Sequence, residues 1–129
     1  VMGDPDQPHS YSYIPDIANG LVSIADHDEA DGSAWHLPNA PAITTREFIN
    51  KIYAAVGTEP QIQAMSRIMV NVVGLFNGQV RELKEMLYEF EEPYVVDSRR
   101  FEAAFGGQAT PLDEAIPTTV EWFREHPKG

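Results

Sequence analysis

Apolar residues in this chain recur at helical spacing more often than they alternate. Ile17, Leu21 and Ile24 share one face of a stretch that Asp16 can cap and that runs to about residue 25. Ile49, Ile52, Tyr53 and Val56 form a second stripe. Thr44-Thr45-Arg46-Glu47 ahead of it reads as a capping box, with Ile43 and Phe48 at hydrophobic-staple positions and Gly57 as the stop. Met65, Ile68, Met69, Val72 and Phe76 make a third stripe, and Val80, Leu83, Leu87 and Phe90 continue it in phase beyond Asn77-Gly78. One bent helix and two abutting helices both satisfy that pattern. Asp97 caps a further helix that Gly106-Gly107 ends. Thr110-Pro111-Leu112-Asp113 opens the last one with Pro111 at its first position. Pro117 interrupts it, and Thr118-Thr119-Val120-Glu121 can restart it ahead of Trp122 and Phe123. Alternation is confined to Tyr11-Ser12-Tyr13-Ile14, Ala34-Trp35-His36-Leu37, Gln61-Ile62-Gln63 and Tyr94-Val95-Val96. The pattern predicts a mostly helical α+β chain whose few short strands form no sheet of their own.

Composition narrows the function classes. In 129 residues, 20 acids face 9 bases, a formal charge of −11 that repels phosphate backbones and anionic lipid. Neither a nucleic-acid nor a membrane partner is expected. With no cysteine, the chain has no disulfide, thiolate nucleophile or cysteine-held metal, which fits a cytoplasmic location. No apolar run approaches the roughly 20 residues that span a bilayer. The opening Val1-Met2-Gly3-Asp4-Pro5-Asp6 reads as the interior of a loop, so the chain is expected to be a piece of a longer one.

Catalytic chemistry needs a nucleophile or base, a group that tunes it, and a means of holding charge. No phosphate-cradling glycine motif, zinc-spaced histidine pair or Tyr-x-x-x-Lys pair occurs, so no catalytic residue and no metal site is expected in this chain. Asp26-His27-Asp28-Glu29-Ala30-Asp31 reads as a solvated acidic loop without calcium-loop spacing. His36 reads as a half-buried structural residue, and His27 and His126 as exposed ones. His9, ahead of the aromatic pair Tyr11 and Tyr13, is the histidine placed to line a pocket, although a backbone-bonded loop histidine is the plainer reading.

Five stretches in order resemble the C-terminal part of extended short-chain dehydrogenase/reductases, the NAD-dependent epimerase/dehydratase family. His9-Ser10-Tyr11-Ser12-Tyr13-Ile14-Pro15-Asp16-Ile17-Ala18 is similar to that family's Arg-Asp-Phe-x-Tyr-Val-Asp-Asp-Val-Ala segment. Trp35-His36-Leu37-Pro38-Asn39 stands where the family has Tyr-Asn-Leu-Gly, and Thr44-Thr45-Arg46-Glu47-Phe48-Ile49 resembles the Ser/Thr-x-x-Glu helix that follows. Asp97-Ser98-Arg99-Arg100-Phe101-Glu102-Ala103-Ala104-Phe105-Gly106 resembles the Asp-x-Ser-Lys element. The stretch from Thr110-Pro111-Leu112-Asp113 to Thr119-Val120-Glu121-Trp122 is similar to the closing Pro-x-x-Leu-x-Glu to Thr-x-x-Trp run.

The resemblance implies an α/β parent of roughly twice this length, with an N-terminal Rossmann domain that binds NAD or NADP and carries the Tyr-x-x-x-Lys pair. Residues 1–129 would then be its C-terminal substrate-binding lobe, including one returning Rossmann-sheet strand near 34–37. No cofactor is expected on this chain alone. Expected partners are a small-molecule substrate and the chain's own Rossmann domain, or another copy through the orphan strand; a homodimeric parent fits as well. His9 stands where nucleotide-sugar enzymes of the family place an arginine, and Glu89-Phe90-Glu91-Glu92-Pro93 is acidic where they carry another. The implied substrate is therefore something other than a nucleotide sugar, with His9, Tyr11 and Tyr13 as its expected contacts. The competing expectation is a free-standing acidic helical interaction module without catalysis.

Overall fold

A computed structural model describes residues 1, 3–63, 68, 72, 73, 75, 78–83 and 88–127. In chain order the elements are β1 (Pro8–His9), α1 (Ile14–Ala25), a 3-10 turn (Asp28–Ala30), β2 (Ile43–Thr44), α2 (Thr45–Val56), α3 (Gly78–Leu83), α4 (Tyr88–Glu91), α5 (Arg99–Phe105) and α6 (Leu112–Glu125). The described chain is mostly helical, with one two-stranded sheet. It divides into two compact units, Val1–His9 with Ile43–Tyr94, and Ser10–Ala42 with Val95–Gly129.

In the first unit β1 pairs antiparallel with β2, Pro8 opposite Thr44 and His9 opposite Ile43. Tyr94 bridges the other side of His9 in parallel sense, and its N–H donates to the Pro8 carbonyl at 2.9 Å. Thr44 then closes the predicted capping box: its hydroxyl accepts from the Glu47 N–H at 3.1 Å, and the Glu47 carboxylate accepts from the Thr44 N–H at 2.9 Å. Two of the helix's orphan donors are satisfied in this way. Gly57 ends α2 in the left-handed conformation at φ 85°, where a side chain would be strained. Asp6 receives both arms of the Arg46 guanidinium, at 2.7 and 3.0 Å, which ties the N-terminal loop to the first turn of α2.

The second unit holds most of the buried apolar side chains: Ala30, Ala40, Phe101, Ala115 and Ile116. Helix α1 turns Gly20 inward, and a β-carbon there would lie 2.8 Å from Leu37 Cδ2, so only glycine admits that leucine at its present distance. In α5, Phe101 packs edge-on against Phe105 at 5.1 Å, and Phe105 meets Trp35 at 4.7 Å. Asp16 and Thr110 join two ends of the unit. The Asp16 carboxylate accepts from both the N–H and the hydroxyl of Thr110, each at 2.8 Å.

Several expectations shift. Residues 11–14 form no strand; the pairing falls earlier, at Pro8–His9, and the helix starts at Ile14 with Asp16 inside its first turn. No strand exists at 34–37: the Ala34 carbonyl accepts from the Arg100 guanidinium at 3.3 Å instead of from a neighbouring strand, and the His36 side chain places Nδ1 3.2 Å from the Asp97 carbonyl. Residues 61–63 are irregular, and of 94–96 only Tyr94 bridges. Leu21 is exposed instead of lining the inner face of α1 with Ile17 and Ile24. Ser98, not Asp97, is the N-cap of α5, and Pro111 is the N-cap of α6 instead of its first residue. Helix α6 runs unbroken through Pro117, with the Thr118 and Thr119 hydroxyls donating back to the Glu114 and Ala115 carbonyls at 2.8 and 2.7 Å. Met65, Met69, Phe76 and Leu87 of the third stripe lie outside the described residues. Among the described residues no helix is long and apolar enough to cross a membrane.

Candidate functional site

The three residues expected to contact substrate do not share a unit. His9 belongs to the first, Tyr11 and Tyr13 to the second, and the chain passes from one to the other between His9 and Ser10. His9 sits on β1 with Nε2 2.7 Å from the Glu89 carbonyl and Nδ1 3.1 Å from that of Gln7. Both ring nitrogens thus face carbonyl oxygens, and neither turns a lone pair toward a substrate proton. The ring fastens α4 beside β1. Tyr11 and Tyr13 are half-buried, and Tyr13 occupies the N-cap position of α1.

The other histidines behave alike. Nδ1 of His27 lies 2.7 Å from the Ser23 carbonyl, and that of His126 lies 2.9 Å from the Trp122 carbonyl. With His9 and His36, all four histidines place Nδ1 against a main-chain oxygen. The imidazoles act here as struts.

A denser constellation, which spacing along the chain does not reveal, lies in the second unit. Arg100 stacks over the Trp35 ring at 4.0 Å from its centroid, Phe105 meets Trp35 and also His27 at 5.1 Å, and Trp35 Nε1 donates to the Ala30 carbonyl at 3.0 Å. Trp35 and Arg100 come from segments more than sixty positions apart.

Charge placement follows local pairing. Arg99 hydrogen-bonds the Asp97 carboxyl and holds it down to about 2 from an ordinary 3.8. Arg46 lowers Asp6 in the same way, and the Asp6 N–H, followed by the Gln7 side chain, lowers Asp4. Among the described residues no group of three or more histidines and carboxylates is placed to hold a metal ion.

Compared with known proteins, the chain matches no family model, no curated protein and no solved structure. A dinucleotide would need a glycine turn opening a helix so that main-chain N–H groups meet the pyrophosphate. Among the described residues, Gly106 and Gly107 follow α5, Gly20 is buried within α1, and Gly78 opens only the six-residue α3. These residues do not fit a dinucleotide, and no reaction step is assigned to one on this chain.

Proposed function

We propose that the chain is the substrate-binding portion of an NAD(P)-dependent epimerase, dehydratase or reductase whose substrate is a small compound other than a nucleotide sugar. The dinucleotide and the Tyr-x-x-x-Lys pair belong, on this reading, to a Rossmann domain outside these residues, and the chain alone turns nothing over. One observation carries the reading: four of the five resembling stretches hold one another within the second unit. Asp16 of the first accepts twice from Thr110 of the last. His36 and Trp35 of another meet Asp97 and Arg100 of a third. Aromatic contacts and paired hydrogen bonds between these stretches are what a shared ancestral fold would keep. The Glu89-Phe90-Glu91-Glu92 run, acidic at the sequence position where nucleotide-sugar enzymes of the family carry an arginine, supports a substrate without phosphates. Tyr11 and Tyr13 would contact the substrate.

Calorimetric titration tests this with two proteins, the 129-residue chain and the polypeptide encoded by its complete gene. The complete polypeptide is expected to bind NAD or NADP and to ignore UDP-sugars, and the chain to bind neither. Dinucleotide binding by the chain, or tight UDP-sugar binding by the complete polypeptide, would sink the reading.

A further inference from the structure

We infer that Asp31–Gly32 is the second unit's site of spontaneous isoaspartate formation, and that the rearrangement loosens the hold on Trp35. Two pairs in this unit carry the sequence for such chemistry, Asn19-Gly20 and Asp31-Gly32, because glycine offers the preceding side chain an unhindered main-chain nitrogen. By residue type the asparagine pair is the faster, since an amide loses ammonia more readily than a carboxylate loses water. The fold reverses that order. Gly20 is buried in the middle of α1, where the helical ladder engages its N–H and holds the peptide in place. Asp31 and Gly32 are both exposed at the corner of a turn, with Asp31 at φ −59° and ψ 142° and Gly32 at φ 68°. Among the described residues, neither the Gly32 N–H nor the Asp31 carboxylate makes a hydrogen bond or an ion pair. Apart from its chain neighbours, nothing lies within 4 Å of the place a β-carbon on Gly32 would take. No contact there opposes the rotation that brings the Gly32 nitrogen onto Asp31 Cγ.

The step needs no co-reactant but water. The Gly32 nitrogen attacks Cγ of the protonated Asp31 carboxyl, and the new N–C bond closes a five-membered succinimide. The Cγ–OH bond breaks, and the hydroxyl leaves with the nitrogen's proton as water. Water then adds back to the ring. Opening at Cγ restores aspartate, whereas opening at the α-carbonyl routes the main chain through Cβ and Cγ and leaves a free α-carboxylate. The charge is unchanged and the main chain is one atom longer. Where that atom enters decides its effect. Trp35 Nε1 donates to the Ala30 carbonyl at 3.0 Å, so residues 30–35 form a loop closed across Asp31–Gly32. Ala30 is buried, and Arg100 holds the other end, through the Ala34 carbonyl at 3.3 Å and by stacking on Trp35. Both ends are therefore fixed, and a longer link between them works against the Trp35–Ala30 hydrogen bond.

The test incubates the 129-residue chain for weeks at neutral pH below its melting midpoint, beside an Asp31→Glu variant. The longer side chain cannot close the five-membered ring, and its exposed position leaves helix content and urea midpoint as they are. Isoaspartate is counted by methyl transfer from S-adenosylmethionine, with an isoaspartyl carboxyl methyltransferase as the probe, and is placed by peptide mapping. The folded chain is expected to accumulate it at least fivefold faster at Asp31 than at Asn19, and the chain in urea to show the reverse order. Asp31→Glu should abolish the signal from the peptide that spans this position and leave that of Asn19 as it was. In NMR spectra a second Trp35 indole N–H signal should grow in step with the isoaspartate, while that of Trp122 stays single. A smaller ratio in the folded chain, or the same order in urea, overturns the inference. Isoaspartate at Asp31 beside an unaltered Trp35 signal overturns its second half, the loosening of Trp35.

Discussion

Asp97 and Arg99 stand two positions apart ahead of α5, and their contact makes the best-defined acid-sensitive group in the described chain. The folded carboxyl is held at about 2, below its ordinary 3.8, first by the Arg99 side chain and then by the Arg99 N–H. Because the folded value is the lower one, the pair's stabilisation is fully present above pH 3.8 and is lost as pH falls through about 2. Arg99→Gln is expected to return the Asp97 titration toward 3.8, read from its carboxyl carbon by NMR; no change would mean that the contact is not kept in solution. Both groups are exposed, so the effect is local. The half-buried Asp16–Thr110 contact carries more. Thr110→Val removes the hydroxyl donor and leaves the N–H, which is expected to lower unfolding stability by about 1–2 kcal/mol in urea titration. A double-mutant cycle with Asp16→Asn should return a coupling of about 0.5–3 kcal/mol. A coupling near zero would remove this contact as the joint between the first and last stretches of the second unit.

Among the elements, α6 invites the plainest test. Pro117 lies inside it and supplies no N–H to the preceding turn. Pro117→Ala is expected to stabilise the chain by about 1–3 kcal/mol, seen as a raised thermal midpoint. A lowered midpoint would show that the proline's shape is needed where it lies. Local chemistry was legible wherever it decides local structure. The capping box at Thr44 and Glu47 and the stop at Gly57 depend on neighbours three or four residues away, and both stand where the sequence puts them. Strands were misread for the opposite reason. Pro8 and His9 pair with Ile43 and Thr44, and nothing within six residues of either marks that pairing; the β-rich look of residues 11–14 yields to the start of α1, where the Tyr13 carbonyl accepts from the Ile17 N–H, and at 34–37 the Ala34 carbonyl is taken by Arg100 far along the chain. The stacking of Arg100 on Trp35 was illegible for the same reason. At the candidate site, the backbone-bonded reading of His9 matches its two carbonyl contacts. Residue type alone cannot foresee that His9 and the two tyrosines fall in different units.

At the scale of the whole molecule, the units interleave: the chain enters the second at Ser10, leaves it after Ala42 and returns only at Val95. A fragment ending at Tyr94 keeps every segment of the first unit and loses α5 and α6 of the second. Trp35 is then its only tryptophan, and without Phe105 and Arg100 it is expected to emit at the long wavelength of a solvated indole. Emission as blue as that of a buried indole would show that residues 10–42 pack without the returning segment.

The interleaving also has a consequence for biosynthesis. When α1 leaves the ribosome, its partners in the second unit are only partly made, because Thr110, which holds its Asp16, follows the whole stretch 43–94. At about 5–20 residues per second that delay is roughly 3–10 s, long against the microseconds in which a helix forms. For those seconds the nascent chain presents a helix that is greasy on both flanks, the kind of segment that holdase chaperones take up.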